Sequence, residues 1–257
     1  MRKNDDSIIG IVGGMGPYAG LDLVTKIFDQ TITRNDQGHL PVALLSFPNQ
    51  IEDRTEFLIG KSEINPAHAI SDIIVQLEGI GAKVIGIPCH TMHSPKIFTM
   101  VREDLRNKNC NVEIIHMVEA VVEFVTTQHP EIEKLGVLST SGTYKTGIYP
   151  TAFKHTGIDV LSPDENSQLE DFHEAIYDPE FGIKARSNPV TDMARKKLLE
   201  AISSLREKGA QLIILGCTEL SLAIREKEIG DTIIIDPILI LARALINKAY
   251  PDKLRPL

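Results

Sequence analysis

The sequence predicts an α/β protein made of two pseudo-symmetric halves, each a Rossmann-like or flavodoxin-like unit with a parallel sheet and the active site in the cleft between them. Three observations predict it. Residues 8–16, IIGIVGGMG, and 134–142, KLGVLSTSG, are both apolar strands running into a small-residue turn, with Gly10/Gly136 and Gly16/Gly142 matched at an offset of 126. Residues 81–91, GAKVIGIPCHT, and 209–219, GAQLIILGCTE, match Gly81/Gly209, Ala82/Ala210 and Cys89/Cys217 at an offset of 128. Helix-length amphipathic segments stand between these strands in both halves. Offsets so alike, each near half of 257 residues, indicate two copies of one unit.

The other elements follow in order. Residues 42–47 (VALLSF) and 158–162 (IDVLS) are second strands, each after a helix-length segment. Asn65-Pro66 opens a helix with Ile70, Ile73, Ile74 and Leu77 on one face. Asn188-Pro189 is expected to open its counterpart, with Leu198, Ile202 and Leu205 similarly spaced. Asn suits the N-cap and Pro the first helical position. Strands alternating with such helices imply right-handed crossovers and a mostly parallel sheet in each half. The expected division is 1–115 plus about 230–257 for the first domain and 116–229 for the second.

Composition is that of a globular chain, 42% hydrophobic and 24% charged. The first residues carry Arg2, Lys3, Asp5 and Asp6 and lead into a strand, unlike a signal peptide. No run approaches the roughly 20 apolar residues of a membrane span, so a cytoplasmic protein without membrane partners is expected. A net charge of −8 argues against a nucleic-acid partner and leaves an anionic substrate to local cations. Three cysteines without secretory features read as free thiols.

Ligands of open α/β sheets bind beyond the carboxyl ends of the strands. The turns at Gly13–Gly16 and Ser139–Thr143 stand at such ends, as do Cys89 and Cys217. Two halves facing across a pseudo-twofold axis bring one thiol to each side of a cleft. Inverting a stereocentre through a planar carbanion needs this arrangement, with proton removal on one face and delivery on the other. A thiolate is an adequate base, and its pKa is expected to fall at a helix N-terminus. Thr91 and Thr218 are positioned for the first turns after the cysteines. Turn amides and hydroxyls can stabilise the enolate-like charge on a substrate carboxylate. Cys110 has no repeat partner and reads as a packing or surface residue.

Other chemistries fit less well. His90 and His93 beside Cys89 suggest a Cys–His hydrolase or, with Cys217, a zinc site. Neither explains a repeated cysteine without a repeated histidine, and adjacent residues after a strand point apart. His93 is better read as satisfied by a local hydrogen bond. GGMGP lacks the spacing of a dinucleotide loop and the lysine of a P-loop.

GGMGP at 13–17, IEDRT at 51–55, PCHTMH at 88–93, GIK at 182–184 and LGCTEL at 215–220 together resemble the aspartate/glutamate racemase family, in its order and over most of the chain. The resemblance implies an amino-acid racemase that needs no PLP, metal or other cofactor, acts on aspartate or glutamate as its small-molecule substrate and forms a homodimer. Cys89 and Cys217 would be the acid/base pair, and Arg54 and Lys184 would engage substrate carboxylate. Residues beside the first cysteine would bind the α-carboxylate. Met15, Gly16, Thr91, Ser139, Thr143 and Thr218 complete the expected substrate pocket, with Gln50, ahead of the Arg54 motif, lining the cleft. Cell-wall glutamate racemases typically carry Asp-Ser-Gly at the first turn and His after the second Cys-Thr. GGMGP and Glu219 favour the aspartate/glutamate branch instead. His90 replaces the family's usual Asn, which bears on substrate choice and on Cys89. Related alternatives are hydantoin racemisation and maleate isomerisation. An amino-acid-binding protein without turnover is the alternative of a different class.

Overall fold

In the computed structural model the described residues are 7–164 and 171–257. The charged residues 1–6, read above as leading into a strand, lie outside them. Strands β1 (Ile8–Gly13), β2 (Val42–Ser46), β3 (Ala82–Gly86) and β4 (Glu113–Ile114) form a parallel sheet in the order β2-β1-β3-β4. In the second half, β5 (Lys134–Ser139), β6 (Asp159–Leu161), β7 (Leu212–Gly216), β8 (Glu228–Ile229) and β9 (Thr232–Ile235) give β6-β5-β7-β9-β8, with only β8 antiparallel. Counted within each half, both sheets begin 2-1-3, as the flavodoxin-like order does, and the second ends with its fifth strand inside the antiparallel fourth. The strand order reverses beside β1 in one half and β5 in the other, and those carboxyl ends are the natural place for a ligand.

Helices cover both faces of each sheet, so the strands are buried on both sides and read as continuous apolar runs. On one face of the first sheet, α3 (Ala67–Gly79) and α4 (Pro95–Asn107) pack through Ile70, Ile74, Leu77, Ile97 and Val101. Its other face meets α1 (Pro17–Asp29) and the last helix, α11 (Pro237–Ala249), through Leu23, Ile27, Leu241 and Leu245. The second sheet is covered by α8 (Asp171–Tyr177) and α9 (Asp192–Glu207) on one face, and by α5 (Met117–Gln128) and α7 (Ile148–Ala152) on the other. After β9 the chain crosses back, so α11 packs on α1 and also touches α5.

Helix starts follow local chemistry. Asn65 Oδ1 accepts the Ala67 amide at 3.0 Å, as its N-terminal position requires. The counterpart in the second half differs. Helix α9 begins at Asp192, beyond Asn188-Pro189, because Thr191 supplies the cap by accepting the Ala194 amide at 3.2 Å. The same hydroxyl donates to the Phe181 carbonyl at 2.7 Å, which fixes it there. Among the described residues no helix is long and apolar enough to cross a membrane.

Candidate active site

Cys89 and Cys217 both follow the carboxyl ends of equivalent strands, β3 and β7, and both are buried. They line one closed pocket at the junction of the two halves. The space open to the centre of a water molecule there is about 10 Å³, room for roughly one water. An amino acid needs more room than the pocket offers as it stands.

The two thiols have opposite surroundings. Cys217 Sγ donates to Glu219 Oε2 at 3.0 Å, and the Thr218 hydroxyl donates to the same oxygen at 3.2 Å. Burial, followed by the Glu219 charge, pushes the Cys217 thiol well above its ordinary pKa. This corrects the expectation of a thiol acidified by a helix N-terminus. The helix after Cys217, α10 (Leu220–Ala223), is a single turn, too short to outweigh a buried carboxylate. Cys89 instead lies against the guanidinium of Arg54. Burial opposes the charge on Arg54, yet Cys89, Asp53 and Glu219 together raise its pKa.

Arg54 is placed by its neighbour. Asp53 caps the short helix α2 (Arg54–Leu58), accepting the Thr55 and Glu56 amides at 2.8 and 3.0 Å. Asp53 also pairs with Lys184 of the other half at 3.7 Å. Despite burial, first Glu219 and then Tyr177 raise the pKa of Lys184, whose Nζ stands 4.4 Å over the Tyr177 ring. The GIK motif is explained locally. A side chain at Gly182 would meet the Asp178 backbone at 2.5 Å, and Lys184 N–H donates to the Ile176 carbonyl at 3.0 Å, folding the loop back onto α8.

Met15, His90, Thr91 and Thr218 also line the pocket. Gly16 stands at its edge, where an added Cβ would come 3.0 Å from Glu219 Oε1. Thr143 is buried behind it, its hydroxyl 3.1 Å from that of Thr91 across the two halves. Ser139 is buried at the end of β5 and does not line the pocket. Gln50 is exposed in the turn after β2, away from the site where it was expected. Three lining residues escaped the sequence reading: Thr55, Thr140 and Tyr177, with Thr55 Oγ1 3.2 Å from the Tyr177 hydroxyl. Glu219 was read only as a branch marker. Its adjacency to Cys217 was the signal for a place in the site.

Each histidine beside Cys89 is held through one ring nitrogen. The Tyr149 hydroxyl bonds His90 Nδ1 at 2.8 Å, and burial pushes the ring down to about 3 against a small opposing effect of the Leu215 carbonyl. His93 Nε2 donates to the Ile87 carbonyl at 3.2 Å, and burial, with His116 nearby, holds its pKa well below normal. Among the described residues no group of three or more His, Cys, Asp or Glu side chains is arranged to hold a metal ion.

Residues 12–245 match the profile of the Asp/Glu/Hydantoin racemase family. The chain belongs to that family. It is 28% identical over 246 residues to the broad specificity amino-acid racemase RacX of Bacillus subtilis (strain 168), covering 93% of this chain and 97% of that one. Among solved structures, Picrophilus torridus aspartate racemase superposes with a TM-score of 0.79 at 27% identity, covering 97% and 96% of the two chains. Glutamate racemase from Francisella tularensis subsp. tularensis SCHU S4 shares the fold at a TM-score of 0.64 and 17% identity, covering 96% of this chain and 82% of that one. Family membership makes the protein an isomerase of the racemase type and agrees with the two-sheet α/β architecture.

Proposed function

We propose that this racemase-family protein inverts Cα of an acidic amino acid by a two-base mechanism, with Cys89 and Cys217 as the bases. The observation that carries the reading is the pair of buried thiols from equivalent strand ends lining one pocket, with a guanidinium beside Cys89 and a carboxylate beside Cys217. Glu219 holds the proton on Cys217, which makes that thiol the proton donor in one direction and leaves Cys89 to act as the base. In one direction the Cys89 thiolate takes the Cα proton, its electron pair delocalises into the α-carboxylate as an enolate, and Cys217 delivers its proton to the opposite face. The thiols have then exchanged roles, ready for the other enantiomer. Removing the Cα proton leaves a second negative charge on the carboxylate, which Arg54 and the Thr91 hydroxyl offset. Lys184, half-buried beside Tyr177, suits the side-chain carboxylate. His90, locked by Tyr149, shapes the floor beside Cys89.

One relative is a broad specificity amino-acid racemase and another an aspartate racemase, so the test is a panel. Protein free of PLP is incubated in D₂O with the enantiomers of aspartate, glutamate and several neutral amino acids and followed by ¹H NMR. Loss of the Cα proton signal with appearance of the opposite enantiomer, fastest for an acidic amino acid, is expected. No exchange with any of them under reducing conditions overturns the proposal.

A further inference from the structure

Two of the buried polar atoms without a hydrogen-bond partner belong to charged groups, and both line the same pocket: Arg54 Nε and Glu219 Oε1. Their residues are 8% and 4% exposed, so bulk water does not serve them. Leaving such groups unpaired costs on the order of 1–3 kcal/mol each, or more for charged ones. A fold that retains one of each sign in one pocket is complementary to a ligand bringing both a cation and an anion.

The two oxygens of Glu219 are not equivalent. Oε2 is occupied by the Cys217 thiol and the Thr218 hydroxyl. Oε1 faces the turn at Gly16, where any Cβ would stand 3.0 Å away. Glycine keeps that side of the carboxylate open. Across the pocket, Arg54 Nε has no acceptor, while its Nη1 donates to the Glu52 carbonyl at 3.2 Å.

We propose that Glu219 selects substrates carrying a free α-ammonium group, accepting its N–H at Oε1 while Oε2 retains Cys217, with Arg54 Nε donating to a substrate carboxylate. This rests on the racemase reading above and narrows its substrate class. Within a family whose name includes hydantoins, such a site refuses compounds with an acylated nitrogen or a hydroxyl in its place. Glu219 thereby has two linked roles. With the pocket empty of substrate, its charge holds the proton on Cys217. Once an ammonium pairs with it, that hold weakens and Cys217 can give up its proton, as a reversible exchange of roles requires.

The test compares ligands that differ only in the amine. Calorimetry measures L-aspartate against succinate and L-glutamate against glutarate, in the wild type and in E219Q. NMR in D₂O follows exchange of the amino acids, malate and N-acetylaspartate. The wild type is expected to bind the better amino acid at least about tenfold more tightly than its des-amino analogue, the weight of a charge-assisted hydrogen bond. E219Q should bring that ratio close to one while keeping or improving the affinity for the diacid. Should E219Q fail to fold by circular dichroism, G16A carries the test, since its methyl group obstructs Oε1 and should weaken the amino acid more than the diacid. A wild type that racemises amino acids while E219Q keeps the tenfold preference, or while malate and N-acetylaspartate exchange as fast, overturns the proposal and leaves the racemase reading standing. A wild type that exchanges no amino acid overturns both.

Discussion

Replacing Tyr149 with Phe tests how the two halves are held beside the first cysteine. Tyr149 is 1% exposed, and its hydroxyl bonds His90 Nδ1 at 2.8 Å, from α7 of one half to the loop after β3 of the other. Burial pushes the tyrosine well above its ordinary pKa and the histidine down to about 3, so near neutral pH this is a bond between two uncharged groups. Phenylalanine preserves the ring and its packing and removes only the oxygen. The loss is then one neutral hydrogen bond plus the burial of an imidazole nitrogen without a partner, about 1–3 kcal/mol. At roughly 2–4 °C per kcal/mol for a chain of this size, a midrange loss lowers Tm by about 4–8 °C. Urea unfolding followed by circular dichroism should show a lower midpoint with an unchanged slope. A loss below about 0.5 kcal/mol would refute the reasoning, because the imidazole would then be satisfied without the tyrosine.

The same buried rings make stability depend on pH. In the folded state His90 is pushed to about 3 and His93 well below normal, whereas unfolded histidines bind protons near 6.5. Between about pH 6.5 and 3 the unfolded state therefore holds more protons, and stability falls as pH falls, by up to about 1.4 kcal/mol per pH unit for each histidine. Urea unfolding at pH 7 and 5 should show this slope, and H90N should remove one histidine's share; an unchanged slope in H90N would contradict it. In G142A, the new Cβ would stand 2.8 Å from Thr55 Oγ1 and 3.0 Å from its Cα, where backbone cannot yield. The contact between α2 and α6 (Ser141–Thr146) spans the halves. A loss of about 1–3 kcal/mol in thermal unfolding is expected, and a wild-type melt would show that the halves part freely.

What was legible in the sequence was what repeats or is local. Gly10 and Gly136 recur because a neighbouring strand and a covering helix both press on each: an added Cβ would meet Ile85, Ala82 and Leu77 in one half and Ile213 and Leu205 in the other. The same packing makes the strand pattern regular enough to read and sets each cysteine at a strand end. Three-dimensional closure was not legible. Thr55, Thr140 and Tyr177 are ordinary polar residues until α2, α6 and α8 meet across the halves, and Tyr149 meets His90 from 59 positions away. Gln50 went the other way, since a residue next to a motif in sequence turned outward with the loop. The second-half helix start was misplaced because Thr191 caps as well as Asn188 and stands nearer the apolar stripe. The charge asymmetry of the thiols depends on which ionic side chain each one touches, and spacing alone does not carry that.

The most direct test of the central claim is racemisation by C89A and C217A, measured by ¹H NMR in D₂O with both enantiomers of the amino acid that the wild type turns over fastest. The two-base account predicts that each variant, folded by circular dichroism, loses interconversion, because one face of Cα then has no proton donor or acceptor. Interconversion near the wild-type rate in either variant would contradict it.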